Sequence, residues 1–234
     1  MSTISIPMLV ALLFAVIINN SATAQQGELN QLQRSTVGDC QCPENIYTSS
    51  APNHTFTFSN DKQIVVCGYG VDEQQPDVLS EFVLAECGVD TVIDFWGAMT
   101  ICRLGFKPDT LFVQELYELP TGDDFQLREI VWTIEEFSYK GGELMRKKRI
   151  NRNLKLYDNA TIENVLYRYK EADNVLNEDK MLLADQLFTA ALSAHAKAKS
   201  AFLDFRRRFP ELSGAYLQQY RILTEMLSAW EEGR

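Results

Sequence analysis

The stretch LREIVWTIEEFSYKGGELMRKKRINRNLKLY, residues 127–157, decides how the chain folds. Its first half alternates, imperfectly, through Ile130, Trp132, Ile134 and Phe137. That is the period of a half-buried strand. Gly141-Gly142 then supplies two residues that accept positive φ, which a two-residue hairpin turn requires. The chain from Glu143 to Tyr157 returns along the first strand. If Lys140 faces Glu143, Glu136 opposes Lys147 and Glu135 opposes Lys148.

The returning strand holds the sharpest charge cluster in the chain: Arg146, Lys147, Lys148, Arg149, Arg152 and Lys155. One reading is an anion or polysaccharide site, or a docking patch for a partner. The other is cross-strand pairing with Glu135 and Glu136, each pair worth ~0.2–1 kcal/mol. Pairing accounts for at least two of the six charges, and a solvated charged strand face is common.

Upstream of the hairpin the same texture repeats. His54–Phe58, Gln63–Cys67, Glu81–Cys87, 91–96, Thr100–Leu104 and Thr110–Tyr117 are short runs rich in β-branched and aromatic residues. Breakers separate them: Asn60-Asp61, residues 68–76, Gly88, Gly97, Pro108-Asp109 and residues 120–124. Many short strands at regular spacing predict an antiparallel sheet or sandwich.

Downstream the texture changes. No Gly or Pro occurs from Ala160 to Phe209. Asn159 is placed to cap a helix with Ile162, Val165, Leu166 and Tyr169 on one face, and Asp173, Asn174 and Asn177 mark a break. A longer helix follows, with Met181, Ala184, Phe188, Ala191, His195, Ala198, Phe202, Phe205 and Phe209 at 4-3 spacing. This heptad seam of about four heptads predicts one rod some 45 Å long. Phe188, His195, Phe202, Phe205 and Phe209 are its candidate partner interface; internal packing explains the same stripe equally well. Pro210 is placed to open a third helix carrying Leu212, Tyr216, Tyr220, Leu223, Leu227 and Trp230. The fold class is therefore α+β: an antiparallel, sandwich-like β domain at 54–157, then an antiparallel helical bundle or hairpin at 158–234.

The beginning of the chain sets the compartment. Residues 8–18 are uninterruptedly apolar, and Ala22-Thr23-Ala24 follows as an A-x-A cleavage site. This predicts a secretory signal peptide over 1–24 and a polar arm over 25–53. The apolar run is too short for a membrane span, which needs ~20 residues. An exported chain with no membrane span is expected, periplasmic or extracellular. The formal net charge of −10 excludes nucleic acid as a natural partner.

Export places the cysteines in an oxidising compartment, where thiols pair. Cys40, Cys42, Cys67, Cys87 and Cys102 allow two disulfides and one leftover thiol, with the connectivity open. A lipid anchor is excluded because Asp39 precedes Cys40 far beyond the cleavage site. C-x-C is an uncommon spacing for zinc, and the C-x-x-C redox pattern is missing. Cys40 and Cys42 cannot readily bridge each other, so they are expected to reach two different strands and staple the arm to the sheet.

Motifs for phosphate, dinucleotide and zinc-protease chemistry are missing, and only His54 and His195 are available as imidazole bases. No catalytic residue, metal or cofactor is assigned. The order C-x-C, CGYG (67–70), AECG (85–88), DFWG (94–97) and ICR (101–103) resembles that of uncharacterised exported bacterial proteins, over roughly residues 40–137. The resemblance implies export and a disulfide-bearing β domain, and it carries no catalytic residues. The function expected is a non-catalytic exported binding or assembly module, its helices facing a protein partner or a second copy. The alternative is an exported hydrolase acting on polysaccharide through carboxylates in the β domain.

Overall fold

The computed structural model describes residues 40–43, 51–89, 92–173 and 175–233. The expected signal peptide and most of the arm lie outside them. Seven strands form one antiparallel meander in sequence order: β1 (His54–Thr57), β2 (Gln63–Asp72), β3 (Gln75–Glu86), β4 (Val92–Lys107), β5 (Thr110–Thr121), β6 (Gln126–Lys140) and β7 (Glu143–Ile150). Among the described residues five helices follow: α1 (Asn159–Glu171), α2 (Asn177–Leu192), α3 (Ala196–Leu203), α4 (Phe205–Arg208) and α5 (Gly214–Glu232). The chain is an α+β fold, sheet first. The β6–β7 hairpin has the register set by Gly141-Gly142: Lys140 faces Glu143, Glu136 faces Lys147 and Glu135 faces Lys148. The strand stops at Ile150 rather than Tyr157. Asn151 ends it by donating its side-chain amide to the Val131 carbonyl.

The sheet forks. One row of paired residues, Tyr69, Ser80, Ile101, Leu116 and Val131, crosses five strands. Irregularities flank this row. Glu81, at φ 53°, is skipped by β2 and faces the four residues 97–100 of β4. Trp132 of β6 is skipped by β5. Past the row, the first half of β4 pairs with β3 alone, and residues 117–121 of β5 pair with β6 alone. The two runs 91–96 and 100–104, separate strands by their texture, are therefore one strand with a bulge at Gly97. Bulges bend a strand and re-aim its side chains, and here they divide the sheet into two prongs.

One prong folds back over the other end of the sheet. Phe58, just after β1, meets Tyr139 of β6 with ring centroids 5.0 Å apart. Five steps along a flat sheet would separate those strands by about 24 Å. The Ser59 backbone N–H donates to Asp109 in the β4–β5 turn at 2.6 Å. The space enclosed is filled by Phe56, Phe58, Ile64, Leu79, Phe82, Leu84, Trp96, Leu111, Val113 and Phe137. Phe82 and Trp96 stack at 4.8 Å. This is the sandwich-like arrangement the strand spacing predicts.

Two disulfides lie against the outer side of β2 and β3. Cys40 bonds Cys87 and Cys42 bonds Cys67, with Cα separations of 5.2 and 5.9 Å. Neighbouring cysteines thus reach different strands. Cys102 is a free, buried thiol. Burial, and after it the Glu115 carboxylate, push its pKa up, away from a reactive thiolate.

The other prong supports the helices. Leu119, Ile130 and Trp132 share a core with Ile162, Val165, Leu187, Phe188, Phe202, Phe205, Leu223 and Leu227. Asp158, one residue before the expected cap, accepts the Thr161 backbone N–H and starts α1. The single long rod is replaced by α2, α3 and α4. Ser193 Oγ accepts backbone N–H groups of Leu156 and Tyr157, both at 3.1 Å, and Ala194 takes φ 63°. His195 is a helix cap rather than a seam residue: its Nδ1 accepts the Ala198 N–H at 3.3 Å. Phe188, Phe202 and Phe205 are fully buried, and Phe209 nearly so. The stripe that offers a partner interface is covered by the chain itself. Pro210 lies in the turn before the last helix, which begins at Gly214.

Candidate functional site

The basic strand β7 divides its charges among partners. Arg146 bonds both Glu135 and Asp94. Lys148 reaches Glu115 on β5 at 2.8 Å, and Arg149 bonds Glu136 at 3.2 Å. Past the end of the strand, Arg152 lies over the Trp230 ring, 5.8 Å from its centroid. Lys147 on the strand and Lys155 beyond it are exposed. The strand is thus largely a charge-paired edge, and it brings Asp94, Glu115 and Glu135 to one face of the sheet beside Cys102. Each of those carboxylates is held by a cation. Among the described residues no group of His, Cys, Asp and Glu can hold a metal ion, and no helix is long and apolar enough to cross a membrane.

A more open arrangement lies among the helices. A cavity of about 730 Å³ is lined by Ala172, Asp173, Val175, Lys180, Arg208, Phe209 and Glu211. Three separate pieces of chain build it. The end of α1 brings Ala172 and Asp173. The first turn of α2 brings Lys180, and Leu176 at its N-cap makes no side-chain capping bond. The helix α4 and the turn after it bring Arg208, Phe209 and Glu211.

Both cations of the cavity are fixed. Arg208 Nη2 donates to the Lys170 carbonyl at 2.9 Å, the Ala172 carbonyl at 3.2 Å and Asp173 Oδ1 at 3.2 Å. These acceptors are the unsatisfied carbonyl end of α1 and the carboxylate beyond it, a position that favours a guanidinium. The guanidinium also covers Tyr169 and Phe209, 5.1 and 5.5 Å from their ring centroids. Arg208 Nε is buried with no acceptor among the described residues. Lys180 is only 6% exposed. Its ammonium lies 5.6 Å from the Phe209 centroid and bonds Glu211. Lys180 holds the Glu211 carboxyl below the usual carboxylate range.

Phe209 is the one residue of the candidate helix interface that lines this cavity. Phe188, Phe202 and Phe205 are packed behind it. Lys180 and Glu211 lacked any sequence signal, and Asp173 was marked only as part of a helix break. The run Arg206-Arg207-Arg208 was the visible trace, but a basic helix end explains it without a ligand. A smaller cavity of about 300 Å³, lined by Met99, Ile101, Leu116, Tyr117, Glu118 and Glu129, sits in the cleft of the forked sheet.

No family model, no curated protein and no solved structure matches this chain. Its function rests on its own geometry.

Proposed function

We propose that the protein is an exported, non-catalytic binding module whose helices hold a small ligand in the cavity between α1, α2 and α4. The observation that carries this reading is the wall of that cavity. It combines a deeply buried ammonium, a guanidinium with an unspent N–H and an aromatic ring. Both cations hold internal acceptors, Glu211 for Lys180 and the end of α1 with Asp173 for Arg208, so a ligand enters by replacing one of them. Four charged side chains, Asp173, Lys180, Arg208 and Glu211, converge there beside Ala172, Val175 and Phe209, a lining suited to a small charged ligand. Two disulfides fit a chain that folds in an oxidising compartment.

The hydrolase reading has weaker support. It needs two carboxylates flanking a scissile bond, whereas Asp94 and Glu135 share Arg146, and Glu115 is held by Lys148.

A thermal-shift panel of small organic ions on the purified protein tests the binding reading. At least one compound should raise the melting temperature, and Val175→Trp, which fills the cavity, should abolish that rise while melting normally itself. A panel without any shift sensitive to Val175→Trp removes the reading.

A further inference from the structure

We propose that this cavity takes a small organic carboxylate, and that Glu211 occupies the carboxylate position until such a ligand displaces it. The inference rests on the cavity being a binding site and adds what it binds and what guards it.

Glu211 is itself a carboxylate bonded to the buried Lys180 ammonium. The two partners differ in their surroundings. The Lys180 side chain is 7% exposed and is fixed on α2, while the Glu211 side chain is 54% exposed in the turn between α4 and α5. The buried partner cannot follow the exposed one outward. Glu211 can therefore swing out into water while Lys180 stays buried. The ammonium left behind needs a new acceptor, because an unpaired buried charge is expensive.

Charge counting selects the replacement. With Glu211 outside, the walls carry Lys180 and Arg208 against Asp173, one net positive charge. A single carboxylate neutralises it. The Arg208 guanidinium, whose Nε has no acceptor among the described residues, lines the same cavity. Ala172, Val175 and the Phe209 ring line the rest of the cavity. They favour a ligand with an apolar body over a bare inorganic anion.

Calorimetric titration at fixed ionic strength, with sodium hexanoate, sodium acetate and inorganic phosphate as probes, tests this. Hexanoate should bind more tightly than acetate or phosphate. Glu211→Gln removes the internal competitor and should tighten hexanoate binding about tenfold, because the competent fraction rises. Lys180→Met, close in shape and buried, should abolish it. Hexanoate binding that Glu211→Gln leaves unchanged overturns the displacement by Glu211 while the cavity stands as a site. Phosphate binding as tight as hexanoate overturns the ligand class. If Glu211→Gln binds none of the three probes, the carboxylate proposal fails, and the cavity itself is then judged by the panel with Val175→Trp.

Discussion

Glu135 and Lys148 face each other across the β6–β7 hairpin, yet neither is bonded to the other. Glu135 gives its carboxylate to Arg146, two residues along β7, and Lys148 reaches across to Glu115 on β5. The difference lies in burial. Glu135 is 2% exposed, and Arg146 Nε donates to its Oε1, while Oε2 is buried with no partner among the described residues. Arg146 also spans to Asp94 on β4 and so ties the folded-back prong to the edge strand.

Removing that guanidinium strands a buried charge. Arg146→Met should destabilise the fold by about 2 kcal/mol, read as a shift of the urea midpoint. The double variant with Glu135→Gln should recover part of that loss. Lys147→Ala, on the exposed strand face, should stay within about 0.5 kcal/mol. Equal effects at Arg146 and Lys147 would show that the two-carboxylate clasp contributes nothing.

Gly68 is demanded by contact rather than by conformation. A Cβ there would sit 2.4 Å from both the Glu81 carbonyl oxygen and the Phe82 Cβ, where β3 bulges. Gly70, two residues on, has nothing within 4 Å. Gly68→Ala should cost about 3 kcal/mol as an overpacked site, and Gly70→Ala should be nearly neutral. Thermal melts of the pair decide whether the bulge is rigid.

Asp185 on α2 titrates in an unusual range. Burial raises its pKa to about 6, and a side-chain bond to Gln219 opposes the rise. Its folded pKa lies above its unfolded value, so the native state favours the protonated acid. The penalty of ionising it is absent below about pH 4 and reaches its full size above about pH 6, up to about 3 kcal/mol. Asp185→Asn should therefore stabilise the protein at pH 7.5 and leave it unchanged near pH 3.5. Denaturation curves at the two pH values check the sign; a gain confined to acid would refute it.

The free thiol should be silent in the folded protein. Thiol titration without reductant should find no reactive group in native buffer and one in strong denaturant, the buried Cys102. Breaking the Cys42–Cys67 bond, which closes 25 residues, should cost about 2–4 kcal/mol.

Sequence texture carried the fold where local chemistry and tertiary contacts agree. The two glycines after Lys140 and the opposed charges on either side fix the last hairpin from residue identity alone. The broken rod was not legible. Residues 193–195 are Ser-Ala-His, with no Gly or Pro, and the 4-3 spacing runs straight through them. What breaks the helix is a long-range demand: the backbone N–H groups of Leu156 and Tyr157 need an acceptor, and Ser193 supplies it. The forked sheet was half legible, since Gly97 marked the interruption but not the single strand spanning it. The cavity was illegible because each charged residue in it has a sufficient local explanation, and only the meeting of α1, α2 and α4 brings them together.

An odd number of sulfurs is a hazard for any chain that matures by oxidation, because a spare nucleophile can attack finished bonds and shuffle them. Here the spare one is buried in the core of the curled sheet, a different cluster from the one that holds the bridges. The native pairing is therefore sealed once the sheet has closed, and scrambling has to begin with opening the interior rather than with chemistry at the surface.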